Sequence, residues 1–153
     1  MQTTITQNVP EIGRTFPPFS LSRLLKTVFA PNGGERICIL IDLEDPAQAK
    51  DFAFLTNPDL TIQRHAHDVF YRGLQNGTLE ELGLNGGEMF AYAVTGGSNL
   101  DLPDHGVATD GRVISLIEDV YRKYDIILCV STYWPTAPLT AFAKQYGFRG
   151  ATL

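Results

Sequence analysis

"RICILIDL", residues Arg36–Leu43, is an almost unbroken apolar run rich in β-branched residues. A strand with one wet face alternates apolar and polar side chains, whereas one covered on both faces does not. The run therefore predicts a strand inside a parallel sheet. Two further runs match it: "EMFAYAVT" (Glu88–Thr95) and "DIILCVS" (Asp125–Ser131). Between them lie segments with helical spacing. Ser20 caps a short amphipathic helix carrying Leu21, Leu24, Leu25 and Val28, which "APNGG" ends. Pro46 opens a turn or two of helix through Leu55. "NPD" (Asn57–Asp59) predicts a helix start with Asn57 as cap, followed by Ile62, Ala66, Val69, Phe70 and Leu74 on one face. "QNG" stops that helix, and "TLEELGL" forms a short second piece.

Val113, Ile114, Ile117 and Val120 predict a helix from about Asp110 to Tyr124. Leu139, Phe142, Ala143 and Tyr146 give the last helix its buried face, and Gly147 sits where a C-cap belongs. "GATL" looks like the opening of a fourth strand. Strands alternating with helices imply right-handed crossovers. The expected fold is α/β: a three-layer sandwich with a mainly parallel sheet, Rossmann-like or flavodoxin-like. Residues 1–19 are polar and dotted with proline, and read as an N-terminal arm. Residues 20–153 read as a single α/β domain, expected to be truncated at its C-terminal end.

At 153 residues the chain is long enough for one domain with a real core, and 44% apolar against 19% charged residues argues against disorder. A net charge of −5 with no Lys/Arg cluster lacks the basic footprint that nucleic acid requires. No apolar run reaches the length of a membrane span, and the N-terminus has no signal-peptide pattern. Cys38 and Cys129 lie inside apolar runs without CxxC spacing and read as buried free thiols, with the cytoplasm as the expected location.

Ligands of open parallel sheets collect beyond the carboxyl ends of the strands, and three segments qualify. Asp42 and Asp45 follow the first strand, Thr95, Gly96 and Gly97 the second, and Ser131, Thr132 and Thr136 the third. "ICILID" with "AVTGG" resembles the haloacid-dehalogenase phosphohydrolases, which use a strand-end Asp and a later strand-end Thr. The chain departs from them in carrying Glu44 where a second Asp belongs. "TGGSN" could meet a phosphate through backbone N–H groups, or could be a flexible turn. Thr136 is expected to cap the helix that follows, leaving N–H groups that favour an anion. Tyr133 and Trp134 read as an exposed contact surface. Asp101, Asp104, His105 and Asp110 form a polar loop with the oxygens of a hard-metal site, and solvation explains them as well. His65 and His67 read as surface histidines. No histidine can be set beside a nucleophile, so no triad is proposed, and no catalytic or metal-ligating residue is assigned.

"RICILIDLEDP" and "YDIILCVSTYWPTAPLTAFAKQYGFRGATL" together resemble the N-terminal domain of thermophilic metallo-aminopeptidases of the aminopeptidase T and S type. The likeness covers about two-thirds of the chain. It implies a non-catalytic structural or interaction domain of a larger aminopeptidase-like protein. Divalent metals would then belong to a missing C-terminal domain, which is also the expected partner, with a homodimer as a further expectation. The alternative is a small-molecule or nucleotide-binding α/β domain using the strand-end loops.

Overall fold

A computed structural model describes residues 18–153, so the expected N-terminal arm lies almost wholly outside the described residues. Helix α1 (Leu21–Phe29) starts as its sequence requires: Ser20 Oγ accepts the N–H of Arg23 at 3.2 Å. Its buried face is Leu21, Ser22, Leu25 and Phe29, while Val28 points to solvent. The face is thus rotated from the expected one, because Phe29 fills more of the core than Val28 could.

Strand β1 (Arg36–Leu43) is central and buried along nearly its whole length. A 3-10 segment, Pro46–Thr56, follows, kinked at Lys50–Phe52. Asn57 does not cap the next helix directly. Its Oδ1 accepts the Asp59 N–H at 2.9 Å, forming a turn ahead of α2 (Thr61–His65). The helical path continues through π-wound turns at Ala66–Tyr71 and Leu74–Thr78, breaks at Asn76–Gly77 and closes in α3 (Leu79–Leu82). Strand β2 (Asn85–Ala93) then pairs parallel with β1.

The expected helix from Asp110 is replaced over its first half by a β-hairpin. Strands β3 (His105–Ala108) and β4 (Val113–Ser115) pair antiparallel about an Asp110–Gly111 turn. Gly111 adopts φ +93°, a conformation that side chains resist, and Asp110 Oδ1 accepts the N–H of Arg112 at 2.9 Å. Asp-Gly between two short apolar stretches is a hairpin signal, and it outweighs the helical spacing of Val113, Ile114 and Ile117. Helix begins only at Leu116–Tyr121, after Ser115. There Ser115 Oγ accepts the Glu118 N–H, and Asp119 Oδ2 accepts the Ser115 N–H in return.

Strand β5 (Ile126–Cys129), helix α4 (Thr136–Tyr146) and strand β6 (Arg149–Thr152) complete the chain. Gly147 caps α4 in the left-handed conformation, as its position predicts. The six strands form one sheet in the order β4-β3-β2-β1-β5-β6. Strands β2, β1, β5 and β6 run parallel, and β3 and β4 add an antiparallel edge. The protein is therefore a mixed α/β fold with a mostly parallel sheet.

Alternation along β1 divides the core in two. Ile37, Ile39, Ile41 and Leu43 join Leu25, Phe29, Phe70 and Leu74 on one face. Cys38 and Leu40 join Tyr92, Leu116, Tyr121 and Leu139 on the other. Tyr121 stacks on Phe142, Tyr146 and Phe148 at centroid distances of 4.7, 6.0 and 5.6 Å, fastening α4 to the 116–121 helix. Both free thiols are buried, as their apolar surroundings predict. No helix among the described residues is long and apolar enough to cross a membrane.

Candidate functional site

The tips of β1 and β5 bring together Asp42, Ser131, Thr132 and Tyr133 of the residues singled out from the sequence, and the organising group is Asp42. Its side chain is wholly buried. Oδ1 accepts the Thr132 N–H at 2.8 Å and the Gln63 amide at 2.7 Å, and Oδ2 accepts the Tyr133 N–H at 3.2 Å. The Gln63 amide nitrogen also lies 2.9 Å from both the Asp42 carbonyl and Thr132 Oγ1. Gln63 is buried, reaching over the sheet end from α2. One carboxylate thus ties three elements together: β1, α2 and the β5–α4 loop. A nucleophilic role for Asp42 would require residues 131–133 to move away first.

Beneath this carboxylate, Tyr92 Oη lies 3.5 Å from Cys129 Sγ, which lies 3.7 Å from Ser131 Oγ. Ser131 is fully buried and donates to the Tyr133 carbonyl at 3.1 Å. Burial pushes the Cys129 thiol up to about 11 and raises the Tyr92 phenol as well, so both stay protonated at neutral pH. These groups form a buried polar column, and of them Ser131 reaches the wall of a neighbouring groove.

The remaining candidates sit apart. Asp45 accepts the Ala47 N–H and so caps the 3-10 segment. Thr95 donates to the Gly97 carbonyl within its own loop, and Gly96, at φ +85°, is exposed. Thr136 does not cap α4: its hydroxyl pairs with that of Thr152 at 2.9 Å. Asn99 takes that role instead. Its Oδ1 accepts the Ala137 N–H at 2.9 Å, and its own N–H donates to the Trp134 carbonyl at 2.8 Å. With Pro138 in the first turn lacking an N–H, little of the expected anion site remains. Asn99 and Gln63 are the two residues that sequence reasoning missed.

The two histidines differ. His65 is exposed, but His67 leaves only 16% of its side chain exposed, stacked on Tyr71 at 5.6 Å with Phe52 at its edge. Asp101, Asp104, His105 and Asp110 are spread along the approach to the hairpin. Among the described residues no group of three or more His, Cys, Asp and Glu could hold a metal ion.

Beside the buried column lies an open one. Thr61, Ile62, His65, Phe70, Val130, Ser131, Trp134 and Leu153 line a largely apolar groove of about 650 Å³. Three of these side chains are large, apolar and exposed: Trp134 at 56%, Leu153 at 41% and Ile62 at 39%. Tyr133 is half-buried and belongs to the Asp42 side of the loop. At the opposite end of the sheet a second cavity, of about 340 Å³, is lined by Arg36, Arg112 and Lys123. Each of these cations already faces an acid: Glu88, Asp110 and Asp119 respectively.

No protein-family model, curated protein or solved structure matches the chain. Its chemistry must be read from the site alone. The polar groups buried at the strand tips satisfy one another, and the open groove beside them is largely apolar.

Proposed function

We propose that this chain is a non-catalytic interaction domain that docks another protein surface through the Trp134 groove. The observation that carries this reading is the gathering of Ile62, Trp134 and Leu153 in one open groove floored by Phe70 and Val130. Contiguous exposed apolar side chains of this kind mark contact sites. The cover of helices and apolar side chains on both sheet faces supports a three-layer, Rossmann-like sandwich as the scaffold. The sequence resemblance to the N-terminal domain of aminopeptidase T and S type enzymes supplies the class of parent protein. Its catalytic domain, with the divalent metals, would be the natural partner. Two sealed thiols fit a reducing compartment, and we infer the cytoplasm.

The test pairs a hydrophobic dye with the double variant Ile62→Ser/Trp134→Ser. Dye fluorescence is expected to fall several-fold, while stability stays within about 0.5 kcal/mol because neither side chain is buried. Undiminished dye binding would overturn the reading, as would release of amino acids from peptide substrates by this chain with divalent metal. A second reading, a small-molecule site, draws on the groove volume of about 650 Å³, within the range that ligands of drug size occupy. Thermal shifts with nucleotides and phosphorylated metabolites test it, and no shift across the panel would remove it.

A further inference from the structure

We propose that the outer edge of β6 accepts an extended peptide segment as an added strand. Bulky apolar side chains of that segment enter the Trp134–Leu153 groove, and small ones pack over Gly150. This rests on the interaction reading above and names the partner of the same site.

The backbone is turned the right way. Arg149 and Leu153 send their N–H groups inward, to the carbonyls of Asp125 and Cys129 at 2.8 and 2.9 Å. By strand alternation, Gly150 and Thr152 turn theirs outward. Among the described residues no strand lies beyond β6. Sheet edges that must not pair are blunted by charge, proline, bulges or shortness. The opposite edge, β4, is three residues long and adjoins the Asp110–Arg112 ion pair. In "RGAT" the only charge is Arg149, and Glu35 holds its guanidinium with two bonds, of 2.8 and 2.9 Å.

The two faces of this edge differ in a way that selects side chains. Gly150 is opposite Ile127, and Ala151 is opposite Leu128, so they point to different faces of the sheet. On the Gly150 face, Leu139, Thr140 and Ala143 of α4 leave a cleft of only about 150 Å³. A Cβ built on Gly150 would lie 3.2 Å from the Leu139 side chain, so that face is already close-packed. On the other face lies the groove of about 650 Å³. An added strand sends alternate side chains to these two faces, so its sequence should alternate bulky apolar with small residues.

Area decides between a peptide and a second copy of the chain. At up to ~250 Å² for a large side chain, the exposed parts of Ile62, Trp134 and Leu153 amount to about 300 Å². A stable protein–protein contact buries ~800 Å² on each partner. The patch is sized for a strand, with main-chain hydrogen bonds making up the affinity.

Trp134 is the single tryptophan of the chain, so its emission reports the groove directly. The 153-residue chain is titrated with synthetic peptides alternating leucine or phenylalanine with alanine or serine, flanked by lysine. Backbone amide exchange is followed by NMR in parallel. The expected result is a blue shift of Trp134 emission and at least tenfold slower exchange at Gly150 and Thr152. Binding should weaken at least tenfold when alternate peptide nitrogens are methylated, a change that leaves the protein untouched. A blue shift without exchange protection, indifferent to methylation, overturns strand addition and leaves the interaction reading standing. No peptide binding, with concentration-dependent dimerisation that hides Trp134, assigns the groove to a second copy and also overturns it. If no peptide binds and the dye ignores Ile62→Ser/Trp134→Ser, both readings fall.

Discussion

The tips of β1 and β6 lie on the same side of one sheet and are finished in opposite ways. At β1, Asp42 is sealed and every polar neighbour is satisfied: Thr132, Tyr133 and Gln63 all donate to it. At β6, Leu153 and the adjoining Trp134 stand in solvent. Catalytic sites invert the first pattern, holding donors and acceptors ready for charge that develops during reaction. The β1 tip joins three elements through one carboxylate, and the interaction proposed for this chain falls to the apolar tip beside it.

The sharpest way to break this comparison is Asp42→Ala. The variant strands the Thr132 and Tyr133 N–H groups, while the Gln63 amide keeps the Asp42 carbonyl and Thr132 Oγ1, and should lose about 3 kcal/mol in urea unfolding. A variant as stable as the parent, or more so, would mark Asp42 as a strained functional group and erase the contrast.

Asn99→Ala should come next, at about 1.5 kcal/mol. It removes the acceptor for the Ala137 N–H and places alanine at φ +63°. Asn99→Gly keeps the backbone conformation and should lose only the cap, about 1 kcal/mol. Equal losses in the two variants would show that the left-handed turn contributes nothing to holding Trp134.

The smallest effect is a pH dependence at the other end of β6. The Arg149 guanidinium, helped by the Asn32 N–H, holds the Glu35 carboxyl at about 2, below its ordinary 4.5. A carboxyl depressed by folding contributes stability that is full above the ordinary value and fades as pH falls from 4.5 toward 2. For this partly exposed pair that is about 1 kcal/mol. Arg149→Met should flatten acid unfolding over that window. An unchanged profile would mean that the Glu35–Arg149 pair adds nothing to the backbone bonds that hold the start of β6.

The sequence carried the parallel strands plainly, because β1, β2 and β5 are buried on both faces and their runs are continuous. The hairpin was harder to read. Strands of four and three residues are too short to show alternation, and Val113, Ile114, Ile117 and Val120 fall at spacings a helix also explains. The Asp110–Gly111 pair was the available signal. At the strand tips, Asp42, Ser131 and Thr132 were legible from topology alone, since strand ends converge there. Gln63 was not, because a glutamine on a helix reads as solvated until Asp42 is set opposite it. Asn99 was hidden for the same reason: its partner, Ala137, is 38 residues away.

Cys38 and Cys129 occupy neighbouring central strands with no exposed surface, and burial raises both thiols. An alkylating reagent can reach them only when β1 and β5 part, since thiolate must form before reaction. The rate at which the two thiols are modified is therefore a built-in clock for the opening of the sheet centre. Because Cys129 lies opposite Thr152 of β6, a strand added at that edge should slow this clock as Trp134 reports its arrival.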